Sequence, residues 1–138
     1  MPVPAEYGRA GDHFYAFLMD AKEASGLVTT NQSYTMTQGV FQVFRRRIDL
    51  KEAIRFANIL PTGLRALFVA DWDPEEPKQP FTDIPTMTQE VRALRFEHNL
   101  SPDNAIKAVA TALRKHVDEA KLEHLLEAFA PEAKAFWS

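Results

Sequence analysis

Two short basic runs are the residues best suited to chemistry: Arg45, Arg46 and Arg47, and then Arg114, Lys115 and His116 at an offset of 69. Brought together, they could hold a phosphate or a carboxylate, because guanidinium and ammonium groups are charge-assisted hydrogen-bond donors. On this reading Arg46, Arg47, Lys115 and His116 are the contacts offered to an anion or to an anionic partner. A plainer role competes with it. Cations in the last turn of a helix interact favourably with the helix dipole, by about 0.3–1 kcal/mol each. Successive helical residues point about 100° apart, so three consecutive arginines cannot all face water equally. Arg45 and Arg114 are identical in both runs and are expected to reach a carboxylate or helix-end carbonyls, with Arg46 and Arg47 exposed.

The remaining candidates are weaker. Asp71, Asp73, Glu75 and Glu76 are hard oxygen ligands, yet they lack the glycine and the spacing of a calcium loop. His13, His98, His116 and His124 never stand three or four apart, and the chain has no cysteine, so no compact zinc site is expected. Gly11, Gly26, Gly39 and Gly63 are too scattered for a phosphate-binding loop. No catalytic, cofactor-binding or metal-ligating residue is assigned, and no cofactor is expected.

The elements that must position the basic runs are helices. Residues 44–73 return in degraded form at 113–137 without a gap, Asp49 falling on Asp118 and Phe68 on Trp137. Ala53, Phe56, Ala57 and Leu60 stand opposite Leu122, Leu125, Leu126 and Phe129, one buried helical stripe in each copy. Asp12 is expected to cap a first helix that Gly26 closes. A second starts near Thr35 with Gln38 completing its capping box, and a third opens on Asp49 with Glu52 and ends at Pro61. Thr62 begins a fourth. Residues 70–85 hold Pro74, Pro77, Pro80 and Pro85 among acids and read as a linker, with Trp72 pinning it to the core. Thr86 with Gln89 should cap a fifth helix that Asn99 ends. Ser101 and Pro102 should open a sixth, Asp118 a seventh, and Pro131 should stop that one.

No window alternates as a strand does, so the fold class is all-α: a helical bundle built from two repeated helical halves, a pseudo-two-fold duplication. The expected organisation is one domain, 1–138, with halves at about 11–69 and 86–137. A chain of this length buries roughly 68–70% of its unfolded surface, enough for a single core. Apolar residues at 46% and charged residues at 25% exclude a disordered tail. The absence of cysteine suits a reducing compartment, and the N-terminus lacks the pattern of an export signal, so the cytoplasm is the expected location. No membrane span is expected. A net charge of −3 gives no general attraction to nucleic acid.

The same residues resemble a family. An arginine-bearing helix end (Arg45 to Ile48), Glu52-Ala53, Leu60-Pro61, Arg65, Phe68 and Trp72-Asp73-Pro74 follow the order seen in the bacterial proteins catalogued as domain of unknown function 2267. The second half of that family repeats Leu-Pro and ends on tryptophan, whereas this chain has Phe129-Ala130-Pro131, one position late, before Trp137. The resemblance implies a compact bacterial helical bundle and transfers no activity, substrate or catalytic residue. The expected function is a non-catalytic interaction or scaffold module with an unidentified protein partner; the alternative is a small-molecule or anion binder using a crevice between the halves.

Overall fold

The computed structural model describes residues 3–138. Its helices run in the order α1 (Ala5–Gly8), α2 (Ala10–Ser25), α3 (Thr30–Arg45), α4 (Leu50–Asn58), α5 (Thr62–Val69), α6 (Ile84–Ala93), α7 (Ala105–His116), α8 (Glu119–Glu127) and α9 (Pro131–Phe136). A single 3₁₀ turn, Phe96–His98, lies between α6 and α7, and no strand occurs among the described residues. The architecture is all-helical.

Helix α3 is the axis of the core. It touches α2, α5, α6 and α7, and Met36, Val40, Phe41, Val43 and Phe44 on it are all fully buried. A helix covered on several sides must also bury polar atoms, and each needs a partner. Ser33 Oγ accordingly donates to Leu18 O at 2.8 Å. Gly39 explains how α6 comes so close. A Cβ there would lie 2.9 Å from both Cγ1 and the carbonyl oxygen of Val91, so only glycine permits this crossing.

Helix starts follow local capping chemistry, though not always at the expected residue. Thr29, and not Thr35, forms the capping box of α3 with Gln32. Thr35 lies within the helix, where its hydroxyl donates to Asn31 O. Asp49 with Glu52 forms the box of α4, as its spacing predicts. Asp83, and not Thr86, caps α6, so that helix begins three residues before the expected start, with Pro85 in its first turn. Asn104, rather than Ser101, precedes α7, because Ser101 is drawn into a turn with Asn99. Helix α6 ends at Ala93, yet Asn99 still serves its end: the side-chain amide donates to Val91 O and Leu94 O, each at 2.7 Å. Asp12 lies inside the first turn of α2 rather than before it.

Helices α4 and α8 occupy the same register at the offset of 69, and each opens on an aspartate cap, Asp49 or Asp118. Their exits match as well. Leu60 N donates to Ala57 O at 3.1 Å, and Phe129 N to Leu126 O at 3.1 Å. The late proline leaves this turn unchanged: Pro61 precedes α5 whereas Pro131 is the first residue of α9. The buried stripes differ in one place, since Leu125 is only half-buried where Phe56 is fully so. Helix α8 is covered mainly by α4 and α9, so its buried stripe narrows to Leu122 and Leu126.

Aromatic rings join α3 and α4 to the C-terminal end of the chain. Phe44 lies 5.0 Å from Phe56 and 5.2 Å from Trp137, and Phe56 stacks on Trp137 at 5.3 Å. Such contacts add about 0.5–1.5 kcal/mol each beyond simple burial. Residues 70–83 carry no helix and are tied to the body. Gln79 N donates to Arg46 O at 2.9 Å, Phe81 packs on Phe44 and Phe136, and Trp72 meets Phe68 edge-on.

Candidate functional site

Arg45 emerges from the last residue of α3 into the core. Its Nη1 donates at 2.8 Å to Phe68 O and at 2.8 Å to Ala70 O, and its guanidinium lies 5.5 Å from the Trp72 ring. These carbonyls end α5 and have no partner within that helix, so the arginine supplies what the helix leaves open. Burial lowers its pKa, and nearby Arg46 lowers it further, against the opposing pull of Glu76 and Asp71. Arg114 at the end of α7 does the corresponding thing at the corresponding place. Its Nε and Nη2 donate to Trp137 O at 3.1 and 2.8 Å. Burial pulls its pKa down, but hydrogen bonds and charge attraction from Glu123 and Glu119 outweigh that, so it ends above the ordinary arginine value.

The expectation that Arg46 and Arg47 are both exposed needs correction. Arg47 is buried, with only 1% of its side chain accessible. Its Nη1 donates to Val43 O at 2.8 Å, its Nε to Pro80 O at 3.1 Å, and its Nη2 to Glu90. The segment before α6 crosses the end of α3 and covers it. Arg46 is half-buried, in ion pairs with Glu76 at 3.3 Å and Glu90 at 3.6 Å. Arg47 is therefore unavailable to an outside anion, and Arg46 already has two carboxylate partners.

The second run divides differently. His116 Nε2 lies 2.6 Å from Asp20 Oδ2, with the ring edge-on to Phe17, so it ties the end of α7 to α2. Lys115 is exposed. The structure does not bring the two runs into one site. Arg46 and Arg47 line depressions bounded by residues 72–81, whereas Lys115 and His116 line a separate crevice of about 430 Å³. That crevice opens between the α4–α5 turn and the α7–α8 turn, and Arg65 and Lys121 also face it. Sequence spacing alone overlooked these two residues as ligand contacts, because Lys115 and Lys121 meet only through the turn that Asp118 caps. Arg65 is held in place by Ala57 O and Leu60 O, each at 3.1 Å from its guanidinium.

Among the described residues, no three histidine or acidic side chains converge as metal ligands, and Glu76 of the acidic segment pairs with Arg46. His13, His98 and His124 are exposed and lie on different elements. No helix is long and apolar enough to cross a membrane among those residues.

The family model described as an uncharacterised conserved protein, DUF2267, matches residues 14–136. The chain belongs to that family. No curated protein matches it. The DUF2267 match covers α3 through α9, and so includes Arg45 with its carbonyl partners, Arg114, both aspartate caps and the cations of the basic crevice.

Proposed function

We propose that this DUF2267 chain is a non-catalytic interaction module: one domain, made by duplication of a helical unit, that presents a docking face to a protein partner in the bacterial cytoplasm. Duplication is supported by the shared register of α4 and α8, by the paired Asp49 and Asp118 caps, and by Arg45 and Arg114 each serving a carbonyl at the end of the following helix pair. A non-catalytic role is supported by the use of the arginines. Arg45, Arg47, Arg65, Arg92 and Arg114 all donate to carbonyls of the chain itself.

The observation that carries the docking reading is the outer stripe of α2. Tyr15 and Met19, one helical turn apart, are 58% and 37% exposed, and Tyr7 of α1 is 52% exposed. Asp12 and Glu23 frame the stripe with charge. Large apolar side chains aligned on one face, with polar residues at the rim, are the usual form of a protein contact. A photoreactive phenylalanine analogue placed at Tyr15 or Met19 in bacterial cells should give a discrete cross-linked species. The same probe at exposed Glu127 on α8 should not. Equal cross-linking at all three positions, or none at any, contradicts the docking reading.

A further inference from the structure

We infer that the crevice between the α4–α5 and α7–α8 turns binds a small organic phosphate. This does not rest on the docking face of α2, which lies on a different element. It is an open crevice of about 430 Å³ with a mainly polar lining, the kind of surface that suits a charged ligand.

The cations are arranged for the task. Arg65 donates through Nε and Nη2 to the carbonyls of Ala57 and Leu60, which fixes its plane before any ligand arrives. Two of its five N–H donors are used in this way, leaving the rest for a forked contact with phosphate oxygens. Lys115 and Lys121 are exposed and are in no ion pair among the described residues, unlike Arg46, Arg47, Arg92 and Arg114. They can close on an anion at little conformational loss elsewhere in the fold. His116 borders the same space, with Nε2 turned to Asp20.

Two carboxylates, Glu6 and Asp118, also line the crevice. Asp118 accepts from Lys121 N as the cap of α8 and so points part of its charge back into the helix. Three permanent cations face two carboxylates, a local excess opposite in sign to the chain's net charge of −3. The excess is one positive charge, and a phosphate ester suits the site because its three terminal oxygens can each take one of the three cations, where a carboxylate has only two oxygens. Ile59, Pro61 and Val117 supply an apolar wall, which is why the ligand is assigned an organic body and not only a phosphate group.

The experiment is a titration of the amide spectrum of the full chain with phenyl phosphate, inorganic phosphate and phenol at constant ionic strength. Phenyl phosphate should give saturable shifts confined to residues 58–65 and 115–121. Inorganic phosphate should bind at the same residues several-fold more weakly, and phenol should leave them unmoved. The double variant Lys115→Gln, Lys121→Gln should melt as the parent does, since both side chains are exposed, and should lose about tenfold or more in affinity for phenyl phosphate, as expected for the loss of charge-assisted contacts. Lack of saturation by phenyl phosphate, shifts spread over all basic residues, or undiminished binding in the variant would overturn the site. Equal affinity for inorganic and phenyl phosphate would overturn the organic body.

Discussion

Arg45 and Arg46 are neighbours in sequence with very unequal expected consequences on removal. Replacing Arg45 with methionine keeps the volume and leaves the carbonyls of Phe68 and Ala70 without their donor. An unsatisfied buried carbonyl costs about 1–3 kcal/mol, so Arg45→Met should lower stability by about 2–4 kcal/mol in a denaturant melt. Arg46 holds Glu76 and Glu90 near the surface, where such pairs contribute about 0–1 kcal/mol, so Arg46→Met should cost less than about 1 kcal/mol. A larger loss for Arg46→Met contradicts the roles assigned to them. The inward turn of Arg45 and Arg114 was legible in the sequence, because identity at one register position in two copies separated them from their neighbours. The burial of Arg47 was not. Angular spacing on a helix says which residues differ in direction, and nothing about a segment 33 residues on, at Pro80, folding back to cover one of them.

At the scale of the elements, helix type and order were readable and helix starts were less so. Thr29-x-x-Gln32 and Thr35-x-x-Gln38 are equivalent capping signals on the page. The first prevails because the longer helix buries Ser33, whose hydroxyl reaches Leu18 O, a contact no local signal contains; the same helix carries Gly39 against Val91. The glycines make this testable. Alanine at Gly39 gains helix propensity of about 0.5–1 kcal/mol but must displace the Val91 backbone, and overpacking costs about 1–3 kcal/mol. Gly39→Ala should therefore destabilise. Gly11 is also helical, in α2, and a Cβ there meets nothing within 4 Å, so Gly11→Ala should be neutral or stabilising by up to about 1 kcal/mol. Thermal melts that gave both substitutions the same sign would contradict the α3–α6 crossing.

For the whole molecule, the central claim is that one helical unit was used twice. The paired caps, the matched register of α4 and α8 and the two arginine ties all follow from it. The proposed docking face and the basic crevice are not shared by the two copies: α2 bears exposed Tyr15 and Met19, and Lys115 and Lys121 fall at the offset of 69 on Arg46, which pairs with Glu76 and Glu90, and on Glu52, which closes the capping box of α4. The most direct measurement is the orientation of α4 relative to α3, and of α8 relative to α7, from residual dipolar couplings of the partially aligned protein. The two interhelical angles should agree within about 20°, the ordinary scatter of packed helices. A difference beyond roughly twice that scatter would mean that the two halves pack by different rules, and would contradict the duplication.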